Sequence, residues 1–520
     1  MNVSPTPATF GKFRNFFWPI HGHELRKLIP MFALFFLITF VYNLLRPMKV
    51  ALMVTAQGSG AEVIPYLKVW AVLPGAFLMT YIFTRLASRY EREQIFYVML
   101  LIFLGFFAFF LVFLYPHRNF LEMSQCANYL QGILPDGFKG LVAVIRHWPL
   151  ALFYVLAEIW STIVLSMLFW GFANEVTTVD EAKRFYAIFA LGANSSGVLS
   201  GQVAQYLTLK KYNSFIPYGQ SAWEQSVGLH LVAALGCGLL IIILFRWLNK
   251  SVLQSEIVQT AHNHLAPKLP KPKLTLRECF AYLATSKYMI YVTIIVVSYN
   301  IVYNLSDVLF TAQVQKRYPD ASQLNAYMNQ ITSITGIIAV TSALFLSGNI
   351  IRRYGWTVAA LITPVIWFTT SLGFFSCLLF ENTIVTDVLM NLIHIPVASL
   401  AILFGSAQTC LGRASKYTVF DETKEIVFIP LSKENKRKGK AVVDGIASRF
   451  GKSGGSIIYQ VLLVMCTDLA LTIPYVAIIF LIVIALWIFA VRKLGILVNQ
   501  TIDQELQNTP DPSTVNSGSK

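Results

Sequence analysis

Apolar segments long enough to cross a bilayer recur from one end of the chain to the other, and no other feature constrains the fold as much. Backbone amides find no water in hydrocarbon, so a spanning segment must satisfy them internally. A run of about 20 apolar residues does this as an α-helix. Twelve such segments can be drawn, near 29–46, 66–86, 95–115, 147–172, 185–208 and 229–248, then near 288–309, 328–348, 356–380, 385–410, 441–465 and 469–491. Apolar types make up 56% of the 520 residues and charged types only 13%, whereas soluble domains carry about 25% charge. In water this composition would require an implausibly large dry core. The chain reads as an all-α, polytopic membrane protein.

A net charge of +15 first suggests a nucleic-acid partner. The bases, however, gather in short connecting segments and not on one amphipathic face. That fits juxtamembrane charge better than nucleic acid, and an anionic solute more weakly. Basic stretches lie at 84–93, 246–287, 349–355 and 411–440. With twelve segments all four fall on the side of the two termini, so the positive-inside rule predicts cytoplasmic termini. No secretory signal or transit segment is evident, and the first apolar segment reads as retained. The six cysteines show neither a close pair nor metal-ligand spacing, and they read as packing or incidental residues.

The chain divides near its midpoint. Residues 1–28 form a cytoplasmic N-terminal segment, 29–248 a first six-helix bundle, 249–287 a basic linker, 288–491 a second bundle and 492–520 a cytoplasmic tail. "FTRLASRY" (83–90) and "GNIIRRYG" (348–355) form a weak internal repeat at the spacing a duplication would give. Transporters built from two such halves hold substrate at the interface between them. The Pro-Lys run of the linker should be stiff, and no soluble catalytic domain has room anywhere in the chain.

Charge within an apolar segment is expensive and marks a solute path, an ion path or a partner. Arg46, Pro47 and Lys49 close the first segment. Two cations one turn apart can hold separated oxyanions, or they can snorkel to headgroups. Pro47 should break or kink the helix. Glu158 lies inside the fourth segment and must be paired, protonated or solvated by a cavity. Trp160, Phe169, Trp170 and Phe172 beside it either stack on a purine or pack. Asn300, Asn304 and Asp307 share a helical face that should look inward, with simple exposure the alternative for Asp307; Tyr299 and Tyr303 form a second pair along the same helix. Arg449 and Lys452 precede Ser453, Gly454, Gly455 and Ser456. Such small residues permit a helix break whose freed amides, with the serines, would bind phosphoryl oxygens beside Lys452. Neither "QGSGAE" (57–62) nor "GKS" (451–453) has the spacing of a phosphate loop. His394 reads as a satisfied core residue, while Asn194, Ser195, Ser196, Gly197, Gln202 and Gln408 suggest a polar interior.

Six stretches taken together carry a resemblance to a known family: "GKFRNFFWPIHGHELRKLIPMF" (11–32), "KVALMVTAQGSGAEVIPYLKVW" (49–70), "AEIWSTIVLSMLFWGFAN" (157–174), "SKYMIYVTIIVVSYNIVYNLSDV" (286–308), "FDETKEIVFIPL" (420–431) and "FGKSGGSIIYQ" (450–460). The chain resembles the bacterial and plastid nucleotide transporters, the non-mitochondrial ATP/ADP translocases, over most of its length. The resemblance implies twelve transmembrane helices in a six-plus-six, major-facilitator-like arrangement. It implies transport of ATP or related nucleotides by alternating access, through ATP/ADP exchange with phosphate or through proton-coupled import. It also implies a monomer in a bacterial inner membrane, surrounded by lipid, with no catalytic residue, cofactor or metal. Importance falls on Lys49, Glu158, Asp307 and Lys452, and the expected substrate site adds Arg46, Asn304 and Ser453. Exchanging members commonly read Arg-Asp-Thr-Lys-Asp where this chain reads Arg46-Pro47-Met48-Lys49-Val50. Losing both acids, and having Asp307 where the family has Glu, points to altered pairing of Lys49 and altered counter-substrate choice. The alternatives are a carrier of another phosphorylated solute, such as a sugar phosphate, a membrane enzyme acting on a phosphorylated lipid, and a receptor. The enzyme would require a compact nucleophile or metal set that the chain does not display.

Overall fold

The computed structural model describes residues 20–253, 281, 283–345, 347–381, 394–440, 442–443 and 447–508, and every regular element among them is a helix. Most of the N-terminal segment, the basic linker and the last residues of the tail lie outside the described residues. Nine of the described helices are long and apolar enough to cross a membrane. They are α1 (Leu25–Val54), α2 (Val63–Ala87), α3 (Arg92–Leu114), α4 (Trp148–Val176), α5 (Ala222–Val252), α6 (Lys287–Arg317), α7 (Ala321–Phe345), α8 (Arg353–Leu379) and α9 (Leu469–Val498).

This count corrects the expected twelve spans in a six-plus-six, major-facilitator-like arrangement. Among the described residues the segments drawn at 185–208, 385–410 and 441–465 do not qualify: their described helices carry polar residues, and parts of the last two segments (385–393, 441 and 444–446) lie outside the described residues. Val179–Leu207 opens on Asp180, Glu181, Lys183 and Arg184 and carries Asn194, Ser195, Ser196 and Gln202. Val397–Ser415 contains Ser406, Gln408, Thr409 and Arg413, and residues 382–393 before it lie outside the described residues. Ser448–Cys466 contains Arg449, Lys452, Ser453, Ser456 and Gln460. These helices pack on others that answer their polar groups. Ser196 Oγ donates to Thr39 Oγ1 of α1 at 2.9 Å, and Ser306 Oγ of α6 donates to Gln408 Oε1 at 2.8 Å.

Local chemistry fixes the helix ends nearest the N-terminus. Thr178 and Glu181 form a capping box at the start of Val179–Leu207, which satisfies amides that would otherwise be orphaned. Glu181 also accepts from Lys27 Nζ of α1 at 3.0 Å, and Arg184 pairs with Glu24 just before α1. The same polar helix lies close against α7. A Cβ placed on Gly201 would stand 2.6 Å from the Asn329 carbonyl oxygen, and one on Gly336 would stand 2.8 Å from that of Asn194. Only glycine permits this approach, and contacts between small residues are the usual route to tight helix association in lipid.

Four hydrogen bonds join residues 20–253 to residues 283–508 at the end of the bundle opposite the N-terminus. Gln315 Nε2 donates to the Val54 carbonyl at 3.0 Å, and Trp70 Nε1 donates to Gln460 Oε1 at 3.0 Å. Gln460 Nε2 donates to the Pro65 carbonyl at 3.0 Å, and Asn325 Nδ2 donates to Thr208 Oγ1 at 3.3 Å. An aromatic core fills the first part of the chain. Trp160 is fully buried, packs edge-on to Phe103 and donates Nε1 to the Ile38 carbonyl. Phe169 packs on Phe35, and Phe172 packs on Phe245. These three rings are therefore core and are not available to stack on a base. Trp170 is half-buried, edge-on to Tyr186.

Three further expectations are corrected. α1 runs unbroken through Pro47, and Ser448–Cys466 runs unbroken through Gly454 and Gly455. His394 is exposed at φ 55° in a turn ahead of Pro396, not inside an apolar helix.

Gly201→Ala should lower stability by about 1–3 kcal/mol, because its methyl has no room. Gly236→Ala, where a Cβ meets nothing within 4 Å, should change it by less than about 0.5 kcal/mol. Thermal melting in detergent measures both, and equal melting points would remove the close contact as a source of stability.

Candidate functional site

The site begins in the second half of α1. Tyr42, Arg46 and Lys49 follow one another at one-turn spacing, so they line one side of the helix. Lys49 is 2% exposed and donates to Glu158 Oε2 of α4, whose side chain is 32% exposed. Its ammonium also lies 4.7 Å from the ring centroid of Tyr154, one turn before Glu158. Lys49 therefore does not snorkel to the headgroups. It is held inside the bundle by a carboxylate and a ring face, and removing Glu158 would leave Lys49 buried and unmatched.

A second pair uses a residue that the sequence reading passed over. Lys68 Nζ donates to Asn304 Oδ1 at 2.7 Å and to Asp307 Oδ2 at 3.0 Å. The signal was its position inside the expected 66–86 span, followed by an apolar run. Asp307 and Asn304 accordingly face α2, which removes simple exposure as the reading of Asp307. Tyr303 OH donates to Asp307 Oδ1 at 3.5 Å and accepts from Arg46 Nη2. A continuous chain of polar contacts thus runs Arg46, Tyr303, Asp307, Lys68 across α1, α6 and α2.

Behind α6 the small residues of Ser448–Cys466 allow close packing without any helix break. A Cβ on Gly451 would stand 2.7 Å from Asn300 Cβ, and one on Gly455 would stand 2.9 Å from Asn304 Cβ. Ser456 is buried and its Oγ donates to the Lys452 carbonyl at 3.5 Å. The expected freed amides are absent here, because the helix keeps its own hydrogen bonds. This packing sets Lys452 beside the paired charges. Lys452 is exposed, makes no ion pair among the described residues, and lies within electrostatic reach of Lys68, Lys416, Tyr417 and Arg449. Ser453 follows it, half-buried. Arg449 turns away to lie 5.8 Å from the Phe77 ring centroid.

The structure thus gathers Arg46, Lys49, Glu158, Asn304, Asp307 and Lys452 around one polar region, with Lys68 at its centre. Lys49 and Lys452 each lie within electrostatic reach of Lys68. Lys416 joins the edge of the region, paired with Asp421 Oδ2 at 2.8 Å. Lys68 and Lys416 both sit in wide π-helical turns, Leu67–Val72 and Lys416–Phe420, and another such turn, Ser161–Phe169, starts three residues after Glu158. Turns of this kind are frequent at functional sites. Tyr299 is buried against Phe420 and Trp487, so of the two tyrosines only Tyr303 takes part. Among the described residues no group of His, Cys, Asp and Glu could hold a metal ion. Chemically, the region is a set of cations partly neutralised by carboxylates on neighbouring helices. An entering oxyanion would compete with those carboxylates.

Residues 4–497 match the family described as TLC ATP/ADP transporter. The chain is 41% identical to ADP,ATP carrier protein 1 of Chlamydia pneumoniae, across 94% of each chain. It is 36% identical to the chloroplastic ADP,ATP carrier protein 1 of Arabidopsis thaliana, across 95% of this chain and 76% of that one. In fold it is similar to a bacterial homologue of the iron transporter ferroportin in an inward-facing state, with TM-score 0.53, 12% identity, and coverage of 92% of this chain and 100% of that one.

The Lys68–Asp307 pair predicts non-additivity. In a double-mutant cycle of Lys68→Met and Asp307→Asn, read by thermal melting, the two losses should fail to add by about 0.5–3 kcal/mol. Simple additivity would show that the two side chains are not coupled.

Proposed function

The chain belongs to the TLC ATP/ADP transporter family, and we propose that this nucleotide transporter exchanges ATP for ADP by alternating access around the polar region described above. It is a polytopic membrane protein of the bacterial or plastid type. In our reading it is a monomer in a bacterial inner membrane, with both termini cytoplasmic; the basic stretches at 84–93, 246–287, 349–355 and 411–440 support that orientation. The proposed substrate ligands are Arg46, Lys49, Lys68, Asn304, Lys452 and Ser453, with Glu158 and Asp307 as the carboxylates that hold the lysines between substrates.

One observation carries this reading: Lys68 of α2 is held by Asn304 and Asp307 of α6, so a substrate-sized charge cluster is also a fastening between the two parts of the chain. Phosphates compete for the same ammonium that Asp307 holds. Binding therefore changes which charges remain paired across that boundary, and a ligand moves a conformational equilibrium only through such a differential contact. The hydrogen bonds of Trp70, Gln460, Gln315 and Asn325 support a state sealed at the end away from the termini, with entry from the termini's side. Opening must break them while new contacts form elsewhere.

Purified protein in sealed liposomes tests the coupling. Labelled ATP should enter ADP-loaded vesicles at least about ten times faster than buffer-loaded ones, the factor that 1.4 kcal/mol of differential binding gives. Equal entry into empty vesicles, abolished by collapsing a pH gradient, would replace exchange by proton coupling. Lys452→Gln should weaken ATP binding about tenfold, a loss of about 1.4 kcal/mol; unchanged affinity for every nucleotide would remove Lys452 from the site.

A further inference from the structure

Assigning each cation of the region to a carboxylate leaves three cations unmatched. Lys49 is taken by Glu158, Lys68 by Asp307 and Lys416 by Asp421. Arg46, Arg413 and Lys452 have no carboxylate partner among the described residues. Arg46 has the Tyr303 hydroxyl, and Lys452 is exposed to water. Arg413 lies against the Tyr417 phenol but has no contact with water to match that of Lys452. It is 7% exposed, and its Nε is buried with no hydrogen-bond partner.

Its backbone is fixed by tight packing. A Cβ on the preceding Gly412 would stand 2.6 Å from the Trp367 indole of α8, so Val397–Ser415 lies flat against that ring. The guanidinium acts electrostatically on Tyr42 of α1, on Tyr303 and Asp307 of α6, and on Tyr417. Arg413 therefore reaches the same region as Arg46 and Lys452, approaching from a third helix. A buried guanidinium without a counter-ion is unfavourable. One with an unused N–H beside a partly neutralised charge set suits an anion that arrives and leaves, and the planar fork matches the paired oxygens of a phosphoryl group.

We propose that Arg413 is a ligand for a phosphoryl oxyanion, completing with Arg46 and Lys452 a grip on the end of the phosphate chain. The oxyanion is the terminal phosphoryl of the transported nucleotide or free inorganic phosphate carried against it. Arg413 is then a determinant of phosphate-chain length. This rests on the reading that the region binds nucleotide.

The test is equilibrium binding of ATP, ADP, AMP and inorganic phosphate to the full purified chain and to its Arg413→Gln and Arg413→Lys variants, with thermal melting of each. Arg413→Gln should weaken ATP by about tenfold and AMP by less than about threefold, at an unchanged melting point, and Arg413→Lys should fall between. If ATP is unaffected but inorganic phosphate loses the same factor, free phosphate is the occupant and the proposal stands on that source. Arg449→Gln, whose side chain stacks on Phe77, should leave all four affinities unchanged. A uniform loss across ATP, ADP and AMP, or no loss for any ligand, overturns the proposal. A wild-type chain that binds no nucleotide overturns instead the functional reading on which it rests, so the two failures are distinguishable.

Discussion

Charge held away from water is the constraint on which this structure depends. An ammonium or carboxylate inside a helix bundle is costly without a partner, and for Lys49 and Lys68 the partner comes from a different helix. Lys49 requires Glu158, so α1 and α4 must meet at that level. Lys68 requires Asp307 and Asn304, so α2 and α6 must meet as well. These pairs specify which helices are neighbours, which non-directional apolar packing does weakly when lipid tails are as apolar as leucine. They also make the contact between the two parts of the chain conditional. A fastening made of opposite charges loosens whenever a competing anion enters, whereas one made of leucines would not.

The close helix contacts work with that pairing. Gly451 and Gly455 bring Ser448–Cys466 against Asn300 and Asn304, and Gly201 and Gly336 bring Val179–Leu207 against α7. At the first of these places a glycine sits opposite a residue of the polar region. Asn304 illustrates the consequence. Gly455 presses on its Cβ, its Nδ2 donates to the Asn300 carbonyl of its own helix, and its Oδ1 is left to face Lys68. Packing thus orients an amide whose oxygen is then available to a cation.

Part of this was legible in the sequence. Lys49, Glu158 and Asp307 stood out because a single ionisable residue in an apolar run has few innocent explanations. Lys68 did not, because it lies close to a segment edge, where a lysine usually snorkels. Arg413 was hidden by the basic stretch 411–440, where one more cation carried no signal. The helix count went astray for a related reason. Hydropathy registers what a side chain is and not what it faces, so Val179–Leu207, Val397–Ser415 and Ser448–Cys466 were drawn as spans on their apolar residues. Their serines, amides and charges exclude them from the nine that qualify among the described residues. The glycine pair at 454–455 misled in the same way. Small residues permit either a break or a close approach, and only the neighbouring Asn300 and Asn304 decide between them.

The altered surroundings of Lys49 then take on a different meaning. Arg46-Pro47-Met48-Lys49-Val50 lacks the two acids that resembling exchangers carry there, and α1 supplies no carboxylate of its own to either cation. Lys49 consequently draws on α4, and Arg46 is left with a phenol. A phenol solvates a guanidinium but does not neutralise it. The region therefore keeps an uncompensated positive charge that fixed acids on α1 would have cancelled, and an anion entering it meets attraction with less carboxylate to displace. In the proposed mechanism this shifts the balance between holding substrate and releasing it. Release would then depend on Asp307 recovering Lys68, because among the described residues that pair is the ion pair that joins the two parts of the chain.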